Sequence, residues 1–191
     1  MSNVNLNNII EDELNFELIG GEKFFMAAAA PNLIHGTITG RIYFEFMKYI
    51  FDNNINAAVF SDNTDVYFSD EDHFMPDISV VCNAEIVKLR KKVLGTPDLI
   101  VEVLSESTMK KDLGSKKDAY EKYGVKEYWI VDPWSQRVDV YHLINGKFWL
   151  DNVYKLHSEE LGVEVQHEIK VSIFDDLVID IRNIFKWWFD K

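Results

Sequence analysis

The sequence predicts an α+β, or mixed α/β, fold, and three observations point to this class. Apolar residues make up 47% of the 191 residues, enough for a sizeable core. Helical and strand-like patterns follow one another in the order helix, strands, helix, strand through the middle of the chain. Neither an internal repeat nor a linker divides them. We therefore expect a single domain over residues 15–191, preceded by a polar N-terminal extension over residues 1–14.

The first elements are a hairpin, a helix and three strands. Gly20-Gly21 separates two short strand patterns, which is typical of a hairpin. After Pro31, apolar periodicity predicts a helix that ends near Asn53. The predicted inward face of this helix consists of Leu33, Ile42, Phe46 and Ile50. Strands are predicted over residues 55–60, 64–68 and 77–82.

The middle of the chain predicts a strand, a helix and a second strand. Residues 84–97 are ambiguous and read as a connection with a helical turn. Aliphatic and β-branched residues predict a strand over residues 98–105. Residues 107–124 predict a helix, with Ser105 or Ser107 as its N-cap and Gly124 just beyond its end. Residues 125–132 predict the next strand, which Pro133 closes.

The last third predicts antiparallel strands and a C-terminal helix. The strands are expected over residues 138–143, 147–156 and 163–174, with a turn at residues 144–146. A helix is expected within residues 175–189. Its apolar stripe would consist of Leu177, Ile181, Ile184, Phe185 and Trp188.

Charge and cysteine content limit the classes of function. The formal net charge of −12 argues against a protein that coats nucleic acid, because phosphates repel such a surface. Eight of the twenty basic residues nevertheless fall within residues 88–117, either as a local phosphate-binding region or as ordinary solvated charges. The single cysteine, Cys82, excludes an intrachain disulfide. With no secretory signal and no membrane-spanning run, we expect a cytoplasmic protein that does not enter a membrane.

Glu102 is the strongest candidate for a functional residue. Its neighbours along the strand are apolar on both sides, a pattern typical of a strand covered on both faces. A glutamate is costly there unless a cation or a metal ion pairs with it. The alternatives are an isolated buried salt bridge or a strand end that reaches solvent.

Asp77 and Lys116 are the two residues that could complete a site with Glu102. Asp77 follows Pro76 at the start of a strand, where it is either a cap or a second carboxylate for a hard cation such as Mg²⁺. Lys116 lies on the apolar face of its predicted helix and needs an anionic partner, unless its ammonium reaches solvent. That face is predicted to consist of Met109, Leu113, Lys116, Tyr120 and Tyr123.

Several sequence runs resemble the Uma family of restriction endonucleases, within the PD-(D/E)XK superfamily. The matching runs are MPDISVV, TPDLIVEVLSEST, KKDLGSKKDAYEKYGVKEYWIVDP and the pair His35-Gly36. The match extends over roughly residues 15–145 and is densest over residues 97–133. The resemblance implies a restriction-endonuclease-like core: a mixed sheet flanked by helices, here with extra antiparallel strands and a C-terminal helix. It agrees with our element order if residues 55–60 and 64–68 form one bent strand or a hairpin.

The resemblance also implies a metal-dependent endonuclease that hydrolyses phosphodiester bonds of nucleic acid. Asp77 and Glu102 match the metal-binding acids, which would hold Mg²⁺ or Mn²⁺ with the Val103 carbonyl. Leu104 stands where the superfamily has its lysine, and in this family Lys116 corresponds to that lysine. A catalytically inactive binding module and a hydrolase of small phosphodiesters are the alternatives.

Supporting residues and further ligands follow from these assignments. Asp112 and Tyr120 lie four residues before and after Lys116 on the same helix. His35 either touches the site or caps and packs its helix. Glu45 and Asp65 are the candidates for a second metal, although both read more simply as surface acids. The superfamily also implies a homodimer, in which an apolar C-terminus could face the second subunit.

Overall fold

The computed structural model describes residues 16–25, 33–61, 64–82, 92–157 and 165–186. The predicted N-terminal extension, most of the ambiguous connection at residues 84–97, and Trp188 lie outside these residues. Within them, no helix is both long enough and apolar enough to span a membrane.

The described residues form four helices and thirteen strands. The helices are α1 (Leu33–Asp52), α2 (Met109–Asp112), α3 (Ser115–Tyr123) and α4 (Ile181–Ile184). The strands of the N-terminal half are β1 (Phe16–Ile19), β2 (Glu22–Phe25), β3 (Ala58–Ser61), β4 (Asp65–Tyr67), β5 (His73–Phe74), β6 (Ile78–Val81) and β7 (Lys92–Leu94). Those of the C-terminal half are β8 (Leu99–Val103), β9 (Glu127–Asp132), β10 (Arg137–Ile144), β11 (Lys147–Lys155), β12 (Glu168–Lys170) and β13 (Val178–Asp180).

A mixed six-stranded sheet is the centre of the fold. Its strand order is β11-β10-β9-β8-β6-β3. β8 and β9 are parallel, because the chain crosses over between them through α2 and α3. The other neighbours in this sheet pair antiparallel. A mixed sheet with helices in the order that the sequence predicts confirms the fold class.

Helices and further strands cover both faces of this sheet. On one face, Ile42 and Phe46 of α1 pack with Val101 of β8 and with Ile184 of α4. On the other face, Ile100 and Leu104 of the β8 strand segment pack against Ala119 and Tyr120 of α3. Alternate residues of β8 therefore point into different cores, and Glu102 points to the same side as Ile100 and Leu104.

The two predicted strands at residues 55–60 and 64–68 do not form one bent strand or a hairpin. β3 pairs with β6 in the six-stranded sheet. β4 instead belongs to a second sheet with the order β2-β1-β5-β4-β7, in which it is parallel to β7. The chain thus leaves the central sheet after β3 and returns at β6. β7 also shows that residues 92–94, expected in a connection, are a strand.

Two helix predictions are partly wrong. Leu33 is 82% exposed rather than inward, because nine residues at about 100° each place it half a turn away from Ile42. The helix predicted over residues 107–124 is divided into α2 and α3 at Gly114, the residue type least favourable to a helix after proline. The division leaves Leu113, predicted to face inward, 48% exposed.

The turns and capping residues agree with the sequence. The hairpin β1–β2 turns at Gly20 and Gly21, both with positive φ. The hairpin β10–β11 turns at Asn145 and Gly146, where the two positive φ angles are those of a type I′ turn. Gly124 ends α3 in the left-handed conformation.

The C-terminal prediction holds for burial but not for secondary structure. Leu177, Ile181, Ile184 and Phe185 are buried as predicted. Residues 178–180, however, form β13, which pairs with β12, and only Ile181–Ile184 are helical. The predicted strand over residues 163–174 is likewise reduced to β12 within the described part of that segment. Pairing of the two short strands overrides the helical periodicity.

Candidate active site

Glu102 is buried at the end of strand β8. Its side chain is 3% exposed and belongs to the sheet face that α3 covers. Burial raises the pKa of Glu102 well above its ordinary value, and Lys116 opposes this rise. Nearby Asp112, Asp77 and Glu17 raise the pKa further. Because the Glu102 side chain is almost fully buried, the alternative of a glutamate at a strand end that reaches solvent is excluded.

Lys116 is the cation that faces Glu102. Its Nζ atom lies 3.1 Å from Glu102 Oε1, 2.9 Å from Glu17 Oε1 and 3.4 Å from Asp112 Oδ1. The lysine side chain is 3% exposed, so its ammonium does not reach solvent. Burial alone would lower the pKa of Lys116, but Glu102, Asp112 and Glu17 together raise it above its ordinary value. Lys116 is therefore a protonated ammonium at neutral pH.

Tyr120 on α3 and Asp112 on α2 also lie beside the ion pair of Lys116 and Glu102. The Tyr120 hydroxyl donates a hydrogen bond of 2.7 Å to Glu102 Oε1, the atom that Lys116 also contacts. Both contacts are therefore made to Oε1, and neither is made to the second carboxylate oxygen, Oε2. Asp112 is 1% exposed, and burial raises its pKa although Lys116 opposes the rise.

Glu17 is a further acid of the cluster, and it is not among the residues predicted from the sequence. It is fully buried on β1, where it contacts Lys116 and Lys111 and accepts a bond from the Met75 N–H. The alternation of β1 places Glu17 on the same side as Ile19, which packs with the core beside α3. An acid that shares a strand face with an inward isoleucine was the signal available in the sequence. Its ion-pair partners, in contrast, depend on how the two sheets pack together, and the local pattern does not show this.

Asp77, the residue before β6, lies beside Glu102 near the end of β8. Ile78 pairs with Val101, so continuing the antiparallel register by one residue places Asp77 opposite Glu102. Asp77 Oδ2 accepts a bond of 2.7 Å from the Val103 N–H and lies 3.2 Å from His35 Nε2. Asp77 and His35 are 17% and 21% exposed, so solvent approaches the cluster from this side. His35 touches the site, which favours the first of its two interpretations.

Leu104, the third residue of the predicted E-X-K element, is part of the core. It is 4% exposed and packs with Ile100 and Tyr120. No cation could be placed there without displacing this packing. Lys116 instead brings an ammonium to Glu102 from the helix that covers the same strand.

The donor atoms of the cluster fit a hard divalent cation. Three carboxylates lie within 3.4 Å of the single ammonium of Lys116, and Asp77 acts electrostatically on two of them. Within the described residues, the buried atom Asp112 Oδ2 has no hydrogen-bond partner, and Glu17 Oε2 has an ion pair with Lys111 Nζ at 3.5 Å but no hydrogen bond. An excess of carboxylate oxygens is the environment that Mg²⁺ and Mn²⁺ prefer.

No complete metal cage is formed by the side chains that the structure describes. Among these residues, no three His, Cys, Asp or Glu side chains are grouped so that they could hold one ion. Magnesium is commonly bound by one or two carboxylates together with waters and substrate phosphates. Asp77, Glu102 and the Val103 carbonyl remain a suitable set by this criterion. Their role as ligands stays a prediction.

The two acids considered for a second metal lie elsewhere. Asp65 is on β4, with its Oδ1 atom 3.7 Å from His73 Nε2. Glu45 lines a shallow cleft with Tyr49 and Asp176, on the side of α1 near the C-terminal segment. Among the contacts of the described residues, neither acid reaches Asp77 or Glu102. The structure favours the interpretation of both as ordinary surface or strand acids.

The basic region at residues 88–117 is only partly described. Lys88, Arg90 and Lys91 lie outside the described residues, as does the side chain of Lys92. Of the others, Lys116 is buried, Lys111 pairs with Glu17 and Lys117 lies over the Tyr141 ring at 3.5 Å. Lys110 is exposed. The described lysines therefore serve mainly internal contacts.

Comparisons with known proteins agree with the fold and with the family. The sequence profile named Uma2, described as "Putative restriction endonuclease", matches residues 5–173. Among solved structures, the chain is similar to a protein of the DUF820 group from Anabaena variabilis, described as a putative nuclease. The two share 19% sequence identity and superpose with a TM-score of 0.69 over 95% of this chain and 97% of the other. No curated protein matches the sequence.

Proposed function

The chain belongs to the Uma2 family, and from this membership we propose that it is a divalent-metal-dependent endonuclease that hydrolyses phosphodiester bonds of DNA or another nucleic acid. The observation that carries the proposal is the contact between Lys116 and Glu102 beside Asp77. It brings two acids and one ammonium together near the end of β8. The chain has Leu104 at the strand position where the superfamily has its lysine.

Two carboxylates and one backbone carbonyl would hold the ion. Asp77 and Glu102 would bind Mg²⁺ or Mn²⁺, with the Val103 carbonyl as a third oxygen donor. The bound ion would acidify a water molecule and neutralise charge on the phosphoryl oxygens. Tyr120 and Lys116 both contact Glu102 Oε1, so they would hold this carboxylate in its orientation when the ion is bound.

Lys116 acts as a charge rather than as a base in this proposal. Its raised pKa keeps the ammonium protonated, so it cannot take a proton from the attacking water at neutral pH. The ammonium would instead orient that water or stabilise the negative charge of the pentacovalent transition state. His35, whose Nε2 lies 3.2 Å from Asp77 Oδ2, would hold the Asp77 carboxylate in its orientation.

Metal binding can be tested separately from cleavage. Thermal unfolding is followed while Mn²⁺ or Mg²⁺ is titrated, and we expect a metal-dependent rise in the melting temperature. The rise should be lost in Asp77→Ala and in Glu102→Gln. Glu127→Gln is the matched control, because Glu127 is also a fully buried strand glutamate with a raised pKa but contacts Trp129 and Ser172. This control should keep the metal-dependent rise.

Cleavage is tested with plasmid DNA, oligonucleotides and small phosphodiesters in Mn²⁺. We expect nicking or cutting of DNA that disappears in Asp77→Ala, Glu102→Gln and Lys116→Met. Lys110→Met removes an exposed lysine of the preceding helix α2 and should leave the rate unchanged. If wild-type protein shows neither a metal-dependent shift nor any cleavage, the proposal is wrong, and a binding module that retains a buried ionic cluster is the better description.

A hydrolase of small phosphodiesters is the second candidate. The net charge of −12 favours it, since a long polyanion is repelled by an acidic surface more strongly than a small diester is. Cutting of the small diesters alone, abolished by Lys116→Met, would establish this candidate in place of the endonuclease.

A further inference from the structure

Helix α1 exposes an apolar stripe on the side that faces away from the central sheet. Leu33, Phe44 and Phe51 are 82%, 60% and 80% exposed, and Met47 is also exposed. The opposite face of the same helix is buried through Ile38, Ile42 and Phe46. The helix is therefore apolar on two faces, only one of which packs within the described part of the chain.

Gly40 lies in the middle of this exposed stripe. A Cβ atom built on Gly40 would meet no atom within 4 Å, and the same holds for Gly36 one turn earlier. Glycine weakens a helix relative to alanine, yet packing inside the described chain does not require it at either position. A glycine on an exposed helix face permits the close approach of a second helix.

The exposed stripe is complementary to itself in the antiparallel direction. Its positions are 33, 37, 40, 44, 47 and 51, four and three residues apart in alternation, and only Thr37 among them is half-buried. When two copies are paired antiparallel, Leu33 meets Phe51 of the second copy and Thr37 meets Met47. In the centre, Gly40 meets Phe44 of the second copy. Each contact occurs twice, as an isologous two-fold interface requires.

We propose that α1 is the interface of a homodimer, in which two α1 helices pack antiparallel and Phe44 of each copy fills the space above Gly40 of the other. The occupant of the exposed stripe is thus a second copy of this chain.

The apolar area of the stripe is at the lower end of what a specific pair needs. Its four large side chains, Leu33, Phe44, Met47 and Phe51, expose on the order of 500 Å² per copy, so a symmetric pair that covers them would bury about 1,000 Å². Charge also favours α1 as the place of contact. The helix carries two basic and two acidic residues, Arg41, Lys48, Glu45 and Asp52, whereas the whole chain has a net charge of −12. Two copies repel each other less along α1 than an average contact of this acidic chain would.

The oligomeric state of the full chain tests the proposal. Sedimentation velocity over roughly 1–100 µM should show a dimer for wild-type protein. Gly40→Leu should be monomeric, because its side chain occupies the place of Phe44 from the second copy. This variant should still fold, since the Cβ position is open and leucine favours a helix. Phe44→Glu should weaken the dimer at least tenfold. Trp149→Glu is the matched control, because Trp149 is 62% exposed on β11 and should remain dimeric.

Cross-linking tests the antiparallel register. In a Cys82→Ser background, Leu33→Cys with Phe51→Cys should give a disulfide-linked dimer under oxidising conditions. Leu33→Cys alone should not, because the two copies of position 33 would be about 27 Å apart along the helix pair. A monomeric wild-type protein over the whole concentration range would overturn the proposal. So would a dimer that survives both Gly40→Leu and Phe44→Glu, or a cross-link with Leu33→Cys alone.

Discussion

The ammonium of Lys116 lies 3.1 Å from the carboxylate of Glu102, although the two residues belong to different layers of the fold. Glu102 is in a central strand of the sheet, and Lys116 is on the helix that covers it. Both side chains are 3% exposed, so neither charge is solvated by bulk water. Removal of either charge would leave the other one buried without this partner.

Lys116→Met should destabilise the protein by about 3–5 kcal/mol at pH 7, because it leaves buried carboxylates without their cation. The loss should be smaller at pH 5. Burial already raises the pKa of Glu102, so this acid is protonated more readily and loses its charge as the pH falls. Urea unfolding at both pH values measures the difference. Lys122→Met, which removes a lysine that is 64% exposed on the same helix, should cost no more than about 1 kcal/mol. Equal stabilities of wild type and Lys116→Met would contradict the prediction.

Glu17→Gln should weaken Mn²⁺ binding by about tenfold, because it removes one negative charge close to the proposed ligands while keeping an oxygen near Lys116. Titration calorimetry of the full chain measures the affinity. Glu22→Gln changes an exposed glutamate on the adjacent strand β2 and should leave the affinity as it is. Unchanged or tighter binding in Glu17→Gln would show that Glu17 serves only the packing of β1.

Asp72→Asn should loosen the end of helix α3 and make the protein less sensitive to acid. Asp72 accepts bonds from the Gly20 N–H, Lys122 Nζ and the Tyr123 hydroxyl. Burial would raise the pKa of Asp72, but these bonds lower it overall. A lowered pKa means that the stabilisation is present above about pH 4 and is lost as the pH falls through the folded-state value.

The cost of Asp72→Asn at pH 7 should be about 1–2 kcal/mol and should decrease toward pH 3. Urea unfolding at a series of pH values gives this profile. Asp70→Asn, in the same loop but exposed, is the control and should show the wild-type profile. A cost that is constant from pH 7 to pH 3 would mean that the carboxylate charge of Asp72 contributes nothing.

Cys82 should react slowly with iodoacetamide at neutral pH. Burial, followed by the charge of Asp98, raises the pKa of this thiol to about 11. At pH 8 only about one thiol in a thousand would be ionised, and the thiolate is the reactive form. The alkylation rate should therefore rise with pH to a midpoint near 11. Cys82→Ser provides the blank, and a midpoint near the ordinary value of about 8.5 would contradict the prediction.

The raised pKa of Cys82 also has a consequence for stability. The unfolded chain loses the thiol proton at about pH 8.5, before the folded chain does. The contribution of the neutral thiol is therefore complete below that pH and is lost as the pH rises toward 11. Cys82→Ser should show a flatter decline of unfolding free energy in this range.

Those parts of the site that depend on local pattern could be predicted from the sequence. Glu102 was identifiable because its neighbours in the strand are apolar, and Lys116 because it shares a helix face with Tyr120. Both are buried as this reasoning requires. The fold class followed from the order of elements for the same reason, since each long pattern reports the burial of its own residues.

Features that depend on packing between distant segments could not be predicted. Glu17 reaches Lys116 only because β1 pairs with β5 and brings the hairpin against α3. The assignment of β4 to a second sheet likewise depends on its pairing with β7. Leu33 differs from its prediction for another reason: it is apolar, but it lies half a turn around the helix from Ile42 and therefore faces outward.

The core position of Leu104 has a consequence for the recognition of related genes. A search for nucleases that requires the letters E-X-K in one strand would discard this chain, because the third letter is an apolar residue that the core uses. A search that joins the strand glutamate to a lysine on the next helix, 14 residues later here, would retain it. A survey that uses only the shorter pattern would therefore miss any chain in which the ammonium beside the strand glutamate comes from another element.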